Sequence, residues 1–296
     1  ILQYLPFGAL MNPASGAGAS RKHLIETNEV VSLPSASIIP LLRRKPAETS
    51  PSRNLIAVFA DPVFSNDDPR VSSNEDSKKD ETALAVMNAP KLISPRLRSD
   101  FSRLRFTRTE AEAIATLTPD SDVFLAMDFA ANVEAATGDN LRRSRYIHLA
   151  THGVVNSDFP ELSGIVLSLF DQSGRPRDGF LRLHDVYNLQ IAADLVVLSA
   201  CETGLGKDIK GEGIVGLTRG FMYAGAPRVM ASLWRVEDRA TADLMRRFYQ
   251  RMFREGLAPA AALRDAQVSM LKERSTRQPF FWAGFTLQGE WRPIPN

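Results

Sequence analysis

The 296-residue chain contains one cysteine, Cys201, and only four histidines. A single thiol excludes an internal disulfide framework and suits a reducing compartment, so a cytoplasmic location is expected. No apolar run approaches the roughly 20 residues that a membrane-spanning helix requires. The opening ILQYLPFGAL also lacks the basic segment of a signal peptide. No membrane partner is expected. A charge imbalance is missing too, since 36 Lys and Arg against 34 Asp and Glu leave a formal net charge of +2. With no basic stripe carrying interleaved aromatics, direct nucleic-acid binding is not expected. The chain has no internal repeat and begins without Met, and so reads as a fragment of something longer.

What is present is an ordinary globular composition, 44% hydrophobic and 24% charged, in a chain long enough to bury a large core. LIAVFADPVF at Leu55–Phe64 is a continuous apolar run stopped by Asp61-Pro62, the pattern of a fully buried strand. Residues 65–94 are polar and charged, and read as a surface insertion. It divides a single domain spanning 1–296 into an N-terminal part, 1–64, and a core, 95–296. Before it, KHLIETNEVVSLPSASIIPLL reads as helix then strand, closed by Pro40. Beyond it, TRTEAEAIATL has helical spacing, with Thr107 and Glu110 placed as a capping box. DVFLAM, YIHLA, LVVLSA and PRVMASLW read as strands, and GIVLSLF and GFLRL as a hairpin. ANVEAATGDN, LHDVYNL, GIVGLTRGFMYAG, ATADLMRRFYQRMFREG and PAAALRDAQVSMLKE read as helices, and WAGFTLQG as a closing strand. Strands alternating with helices predict a mostly parallel central sheet with helices on both faces, an α/β sandwich of three layers.

In such sheets functional groups collect just beyond the carboxyl ends of the strands. His152 and Cys201 both stand there, two residues past apolar runs in YIHLATHG and VVLSACETG. If the two strands are neighbours, an imidazole and a thiol face one cleft, and the imidazole can act as base toward the thiol. The amides of Gly153 and Cys201 are candidate oxyanion donors. The histidine precedes the cysteine by 49 residues, close to the spacing of about 50 in caspases. A lone Cys as a small core residue is the competing reading.

HLATHG, LSACETGLG, GEGIVGLTRGFMYAGAPRVMASLWRVEDRAT, MRRFYQRM and PFFWAGFTLQG together resemble the CHAT domain family. YLPFGAL, LPSAS and FADPVF extend the likeness over nearly the whole chain. That family comprises caspase-like cysteine peptidases, usually fused to tetratricopeptide repeats and linked to separase. The resemblance implies a caspase-like sandwich, a catalytic dyad of His152 and Cys201, cleavage of a protein substrate, and an upstream repeat region or regulatory partner. By the same resemblance Asp238 would pair a basic substrate side chain, with Glu237 and Asp243 as rival acids. Capping the helix that starts near Ala240 is an equally good role for Asp238.

Competing motifs are weaker. GEGIVG satisfies G-x-G-x-x-G, yet twelve residues separate Ser199 from Gly211, too many for a tight phosphate turn. Glu212 and its glycines are expected to shape a helix entry beside the site, where Glu212 could contact substrate. GLGKD fails the P-loop pattern at both ends. His148 and His152 are four apart but on a strand, with no third ligand, so neither metal nor other cofactor is expected. His148 is expected to face the core with one hydrogen bond, and His184 to lie at the surface; His23 has no evident role. Leu244, Phe248 and Met252 form a packing stripe with Tyr249 and Phe253. Trp282 and Phe285 belong to the closing strand, and Arg246, Arg247 and Arg251 to a solvated face. Two other function classes stay open: an interaction scaffold whose dyad is never aligned, and a dinucleotide-dependent enzyme.

Overall fold

The computed structural model describes residues 5–13, 21–43, 54–72, 101–155, 163–199, 202–204 and 212–294. The strands are β1 (Val31–Ser32), β2 (Asn54–Ala60), β3 (Val123–Met127), β4 (Ser144–Ala150), β5 (His152–Val155), β6 (Gly164–Val166), β7 (Phe180–Arg182), β8 (Leu195–Leu198), β9 (Glu202–Gly204), β10 (Arg228–Ser232) and β11 (Phe285–Gly289). The helices are α1 (Leu24–Thr27), α2 (Ile39–Leu42), α3 (Arg105–Ala115), α4 (Val133–Thr137), α5 (Asp139–Arg142), α6 (Leu183–Tyr187), α7 (Glu212–Tyr223), α8 (Asp238–Phe253), α9 (Pro259–Lys272) and α10 (Pro279–Trp282).

Among the described residues, seven strands form the main sheet in the order β1-β11-β10-β8-β4-β2-β3. Every neighbouring pair is parallel except β10–β11. The central strands β2, β4 and β8 carry unbroken apolar runs because both their faces are covered. Ile56, Val58, Tyr146, Leu195 and Val197 point to one side, under α3, α8 and α9. Ala57, Phe59, Ile147, Leu149, Val196 and Leu198 point to the other, under α4 to α7. Each large side chain buried this way stabilises the fold by about 2 kcal/mol. The expected three-layer α/β sandwich with a mostly parallel sheet is what forms.

Helix α8 shows how pattern becomes packing. Ala240, Thr241, Leu244, Met245, Phe248, Tyr249 and Met252 are its buried face, and the carboxylate of Glu237 caps it by accepting from the Arg239 and Ala240 amides. Gly138 ends α4 as predicted, and β6 and β7 pair antiparallel as the expected hairpin.

Other local expectations are revised. Thr107 lies inside α3 rather than at its start, because Arg105 already has helical backbone. The Thr107 hydroxyl donates to the Leu104 carbonyl and accepts from the Asp61 amide, while Glu110 turns into the core. No capping box forms. Pro40 lies within the single turn of α2 instead of closing the segment. Residues 65–72, expected to begin the insertion, are tied to the body by ion pairs from Arg70 to Asp61 and Asp128 and by the Ser72 amide donating to the Gln172 carbonyl. Residues 73–94 of the insertion lie outside the described residues. Trp282 is buried in α10, one short helix before the closing strand. Arg247 and Arg251 form ion pairs with Asp243, Glu273, Glu255 and Asp265 and are not simply solvated. His23 has a role after all. It starts α1 through a capping box with Glu26, donates from Nδ1 to the Ala9 carbonyl, and sets its ring edge-on to Trp282 at 5.7 Å.

Candidate functional site

The two strands expected to be neighbours are neighbours. β4 and β8 run parallel, with Leu149 opposite Leu198, and the Ser199 amide donates to the Leu149 carbonyl. Both chains then leave the main sheet at the same level. The Thr151 hydroxyl, fully buried, donates to the Val166 carbonyl, and β5 begins a second sheet ordered β7-β6-β5-β9 among the described residues. There β5 and β9 are again parallel, with Gly153 opposite Glu202. Residues 200 and 201 lie outside the described residues, while Ser199 before them and Glu202 after them are described. Leu198 pairs with Leu149 of β4, three residues before His152, and Glu202 pairs with Gly153, the residue after it.

His152 is 2% exposed, its ring held between Phe64 at 4.9 Å and Phe101 at 5.3 Å. These rings, with Val154, Val166 and Phe180, form a small apolar cluster of their own. Nε2 lies 2.7 Å from the Ser102 carbonyl oxygen. A carbonyl can only accept, so Nε2 carries the hydrogen and Nδ1 keeps its lone pair. Nδ1 is buried with no hydrogen-bond partner among the described residues. Burial pushes the imidazole pKa below its ordinary value; the Ser102 bond opposes that shift and the Arg235 guanidinium adds to it. The ring is therefore neutral near pH 7, and its unprotonated nitrogen is the basic one. Sequence reasoning missed Ser102, because any residue type supplies a backbone carbonyl.

Below this level a second polar group fills the core. Glu110 Oε1 accepts from His148 Nε2 at 2.7 Å and from the Ser199 hydroxyl at 2.6 Å. His148 Nδ1 meets the Tyr249 hydroxyl at 3.1 Å. Burial holds the Tyr249 phenol well above its ordinary pKa, so it remains an O–H donor. His148 thus faces the core, as expected, with two partners rather than one. His184 lies at the surface, also as expected.

A third polar group stands at the carboxyl ends of β2 and β3. Asp61 and Asp128 both adopt left-handed backbone, with φ of 49° and 54°. The buried Asp61 carboxylate takes both Arg103 Nε and Nη2, at 2.8 and 2.7 Å, and Arg108 Nε at 2.8 Å. Arg108 also reaches Asp128.

Asp238 is half-buried at the first turn of α8. Its Oδ2 accepts from the Phe106 amide at 3.0 Å, tying α8 to the start of α3. Burial raises its pKa, and that backbone bond works the other way. The helix cap proper is Glu237, while Asp243 is spent on Arg246 and Arg247. Gly153 lies in the strand flanked by Ile165 and Glu202. Glu212 is the first residue of α7, and its side chain lies outside the described residues. Among the described residues no group of three acidic, His or Cys side chains could hold a metal ion, and no helix is long and apolar enough to cross a membrane.

The family model described as CHAT domain matches residues 1–290. Tetratricopeptide repeat protein 28 of Mus musculus is 34% identical over 113 residues, which cover 38% of this chain and 4% of that protein. Its Homo sapiens counterpart is 36% identical over 105 residues, covering 36% of this chain and 4% of that one. The chain thus matches only about 4% of the length of these curated relatives. Among solved structures, the Arg-specific cysteine proteinase gingipain R is similar over 65% of this chain and 43% of its own, with TM-score 0.43 and 9% identity. The complex of Porphyromonas gingivalis RgpB pro- and mature domains is similar over 64% and 43%, with TM-score 0.41 and 9% identity. Likeness at that level assigns no residue a role.

Proposed function

This chain belongs to the CHAT domain family, and on that premise we propose that it is a cysteine endopeptidase acting on a protein substrate through His152 and Cys201. The observation that carries the reading is the register of the second sheet. Gly153 lies opposite Glu202, so the residues one peptide bond before each, His152 and Cys201, are covalently tethered to partners in adjacent strands. The neutral His152 ring, with Nε2–H spent on Ser102, offers Nδ1 as the base.

In the proposed reaction Nδ1 takes the Cys201 thiol proton, and the thiolate attacks the scissile carbonyl carbon. The amides of Gly153 and Cys201 are the proposed donors to the resulting oxyanion. Nδ1–H then protonates the leaving amine, the C–N bond breaks, and a thioester remains. Water activated by the same ring hydrolyses it, releasing the acid and restoring the thiol. Asp238, half-exposed beside α3, is the proposed partner of a basic substrate side chain, and Glu212 a proposed second contact. The relatives' repeat name supports an upstream tetratricopeptide-repeat region as the recruiting or restraining partner. Neither cofactor nor metal is required, nor is nucleic acid or membrane contact, and the reduced thiol suits the cytoplasm.

The test is labelling by a thiol-directed peptidyl probe. Modification should map to Cys201, and His152→Ala should slow it by about 100-fold, the lower end of what a positioned base contributes. Equal labelling of both proteins would leave the chain as an interaction module with an unaligned dyad. An Arg- or Lys-directed probe reacting faster than a Leu-directed one, with the preference lost in Asp238→Asn, is the outcome expected for Asp238.

A further inference from the structure

We infer that Asp61 and Arg103 are positioning residues: their ion pair clamps residues 101–104 against the end of β2 so that the Ser102 carbonyl holds His152 Nε2–H. The inference rests on the proposed dyad and adds to it the device that orients its base.

Ser102 precedes α3 in a stretch without regular backbone hydrogen bonds of its own. Its carbonyl is nevertheless the sole described partner of the His152 ring nitrogens. What fixes that carbonyl must come from its neighbours. On one side Phe101 packs on both His152 and Phe64. On the other, Arg103 donates two parallel hydrogen bonds to the two oxygens of one carboxylate, the arrangement that restricts both distance and plane. Asp61 grips the same segment twice more, through its amide on Thr107 and its Oδ2 on Arg108. The carboxylate in turn is aimed by backbone with φ of 49°, a conformation that costs a non-glycine residue energy and that surrounding contacts must impose. A single acidic residue, strained and buried at a strand end, therefore staples the stretch just after Ser102 through Arg103, Thr107 and Arg108, while Phe101 packing holds the stretch just before it. The Asp61 bonds hold the Arg103 guanidinium pKa above its ordinary value.

The experiment uses the full chain with imidazole nitrogens labelled. In the native protein the His152 Nε2–H should give a downfield proton resonance slow to exchange with water. Arg103→Ala should lose that resonance and lower the rate of Cys201 alkylation by about tenfold, part of what a positioned base contributes. Arg103→Lys, which keeps a charge on Asp61 without the two-pronged grip, should fall between. Arg145→Ala is the control, since it removes an arginine as exposed as Arg103, paired with Asp194 at the other end of β4; it should leave both readouts as in the native protein. Retention of the resonance and the rate in Arg103→Ala would overturn the clamp. Loss of both in Arg145→Ala would also overturn it, by making the effect one of general stability. If His152→Ala alkylates at the native rate, the dyad reading fails, and the resonance alone decides whether the clamp exists.

Discussion

Replacing His148 by Leu should destabilise this protein far more than replacing Ser199 by Ala, although both remove one hydrogen bond to the same oxygen. Glu110 Oε1 accepts from both residues, while Oε2 is buried with no partner among the described residues. In Ser199→Ala the carboxyl keeps His148, and the loss is one buried hydrogen bond, about 1–2 kcal/mol. In His148→Leu the carboxyl keeps only a hydroxyl, and the Tyr249 O–H loses its acceptor as well. Leaving two buried polar groups short of a partner costs about 1–3 kcal/mol for each, roughly 4 kcal/mol together. At roughly 2–4 °C per kcal/mol for chains approaching this size, the melting temperature should fall by about 10 °C, against a few degrees for Ser199→Ala. The assay is urea unfolding followed by far-ultraviolet circular dichroism, with melting temperatures alongside. The cause is checked by combination: Glu110→Gln in the His148→Leu background should recover at least about 1 kcal/mol, because a neutral amide tolerates the apolar site better than a carboxyl does. A His148→Leu protein within 1 kcal/mol of native would refute the argument, as would a strictly additive double variant.

Two further outcomes are expected. Burial lowers the His152 pKa in the folded state, so as pH falls the unfolded chain protonates first, near pH 6.5. Native stability should then decline from about pH 6.5 downward until the folded ring also protonates, and His152→Gln should flatten that part of the profile; identical slopes would contradict the assignment. Gly225 has φ of 126°, and a Cβ there would stand 2.3 Å from the Ile191 carbonyl oxygen. Gly225→Ala should therefore cost about 2 kcal/mol or more in denaturant unfolding, and an unchanged midpoint would show that the β10 entry yields freely.

The main sheet was legible because its strands are unbroken apolar runs ended by polar or turn residues: VVLS and YIHLA point to buried parallel strands before any coordinate is known. The position of His152 followed from the same logic. What stayed hidden is what depends on distant partners. Ser102 acts through its backbone and has no chemical signature. Glu110 looked like a helix cap because Thr107 stands three residues before it, but the packing of α3 onto β4 and β8 turned its carboxyl inward. Asp61 read as a strand stop, which it is; its grip on Arg103 crosses 42 residues and leaves no local pattern. The second sheet was half visible, as the β6–β7 hairpin, while the departure of β5 from β4 after one residue was not, since its apolar character continues through Val154.

That departure has a consequence for how such a protein can change. The ring of His152 is seated in an apolar pocket separate from the two large packings that sustain the main sheet. Substitutions in Phe64, Phe101, Val166 or Phe180 can thus alter how the imidazole is cushioned while the principal source of folding free energy stays untouched. The surroundings of the proposed base and the packing that sustains the fold reside in different clusters, leaving each open to variation without the other having to follow.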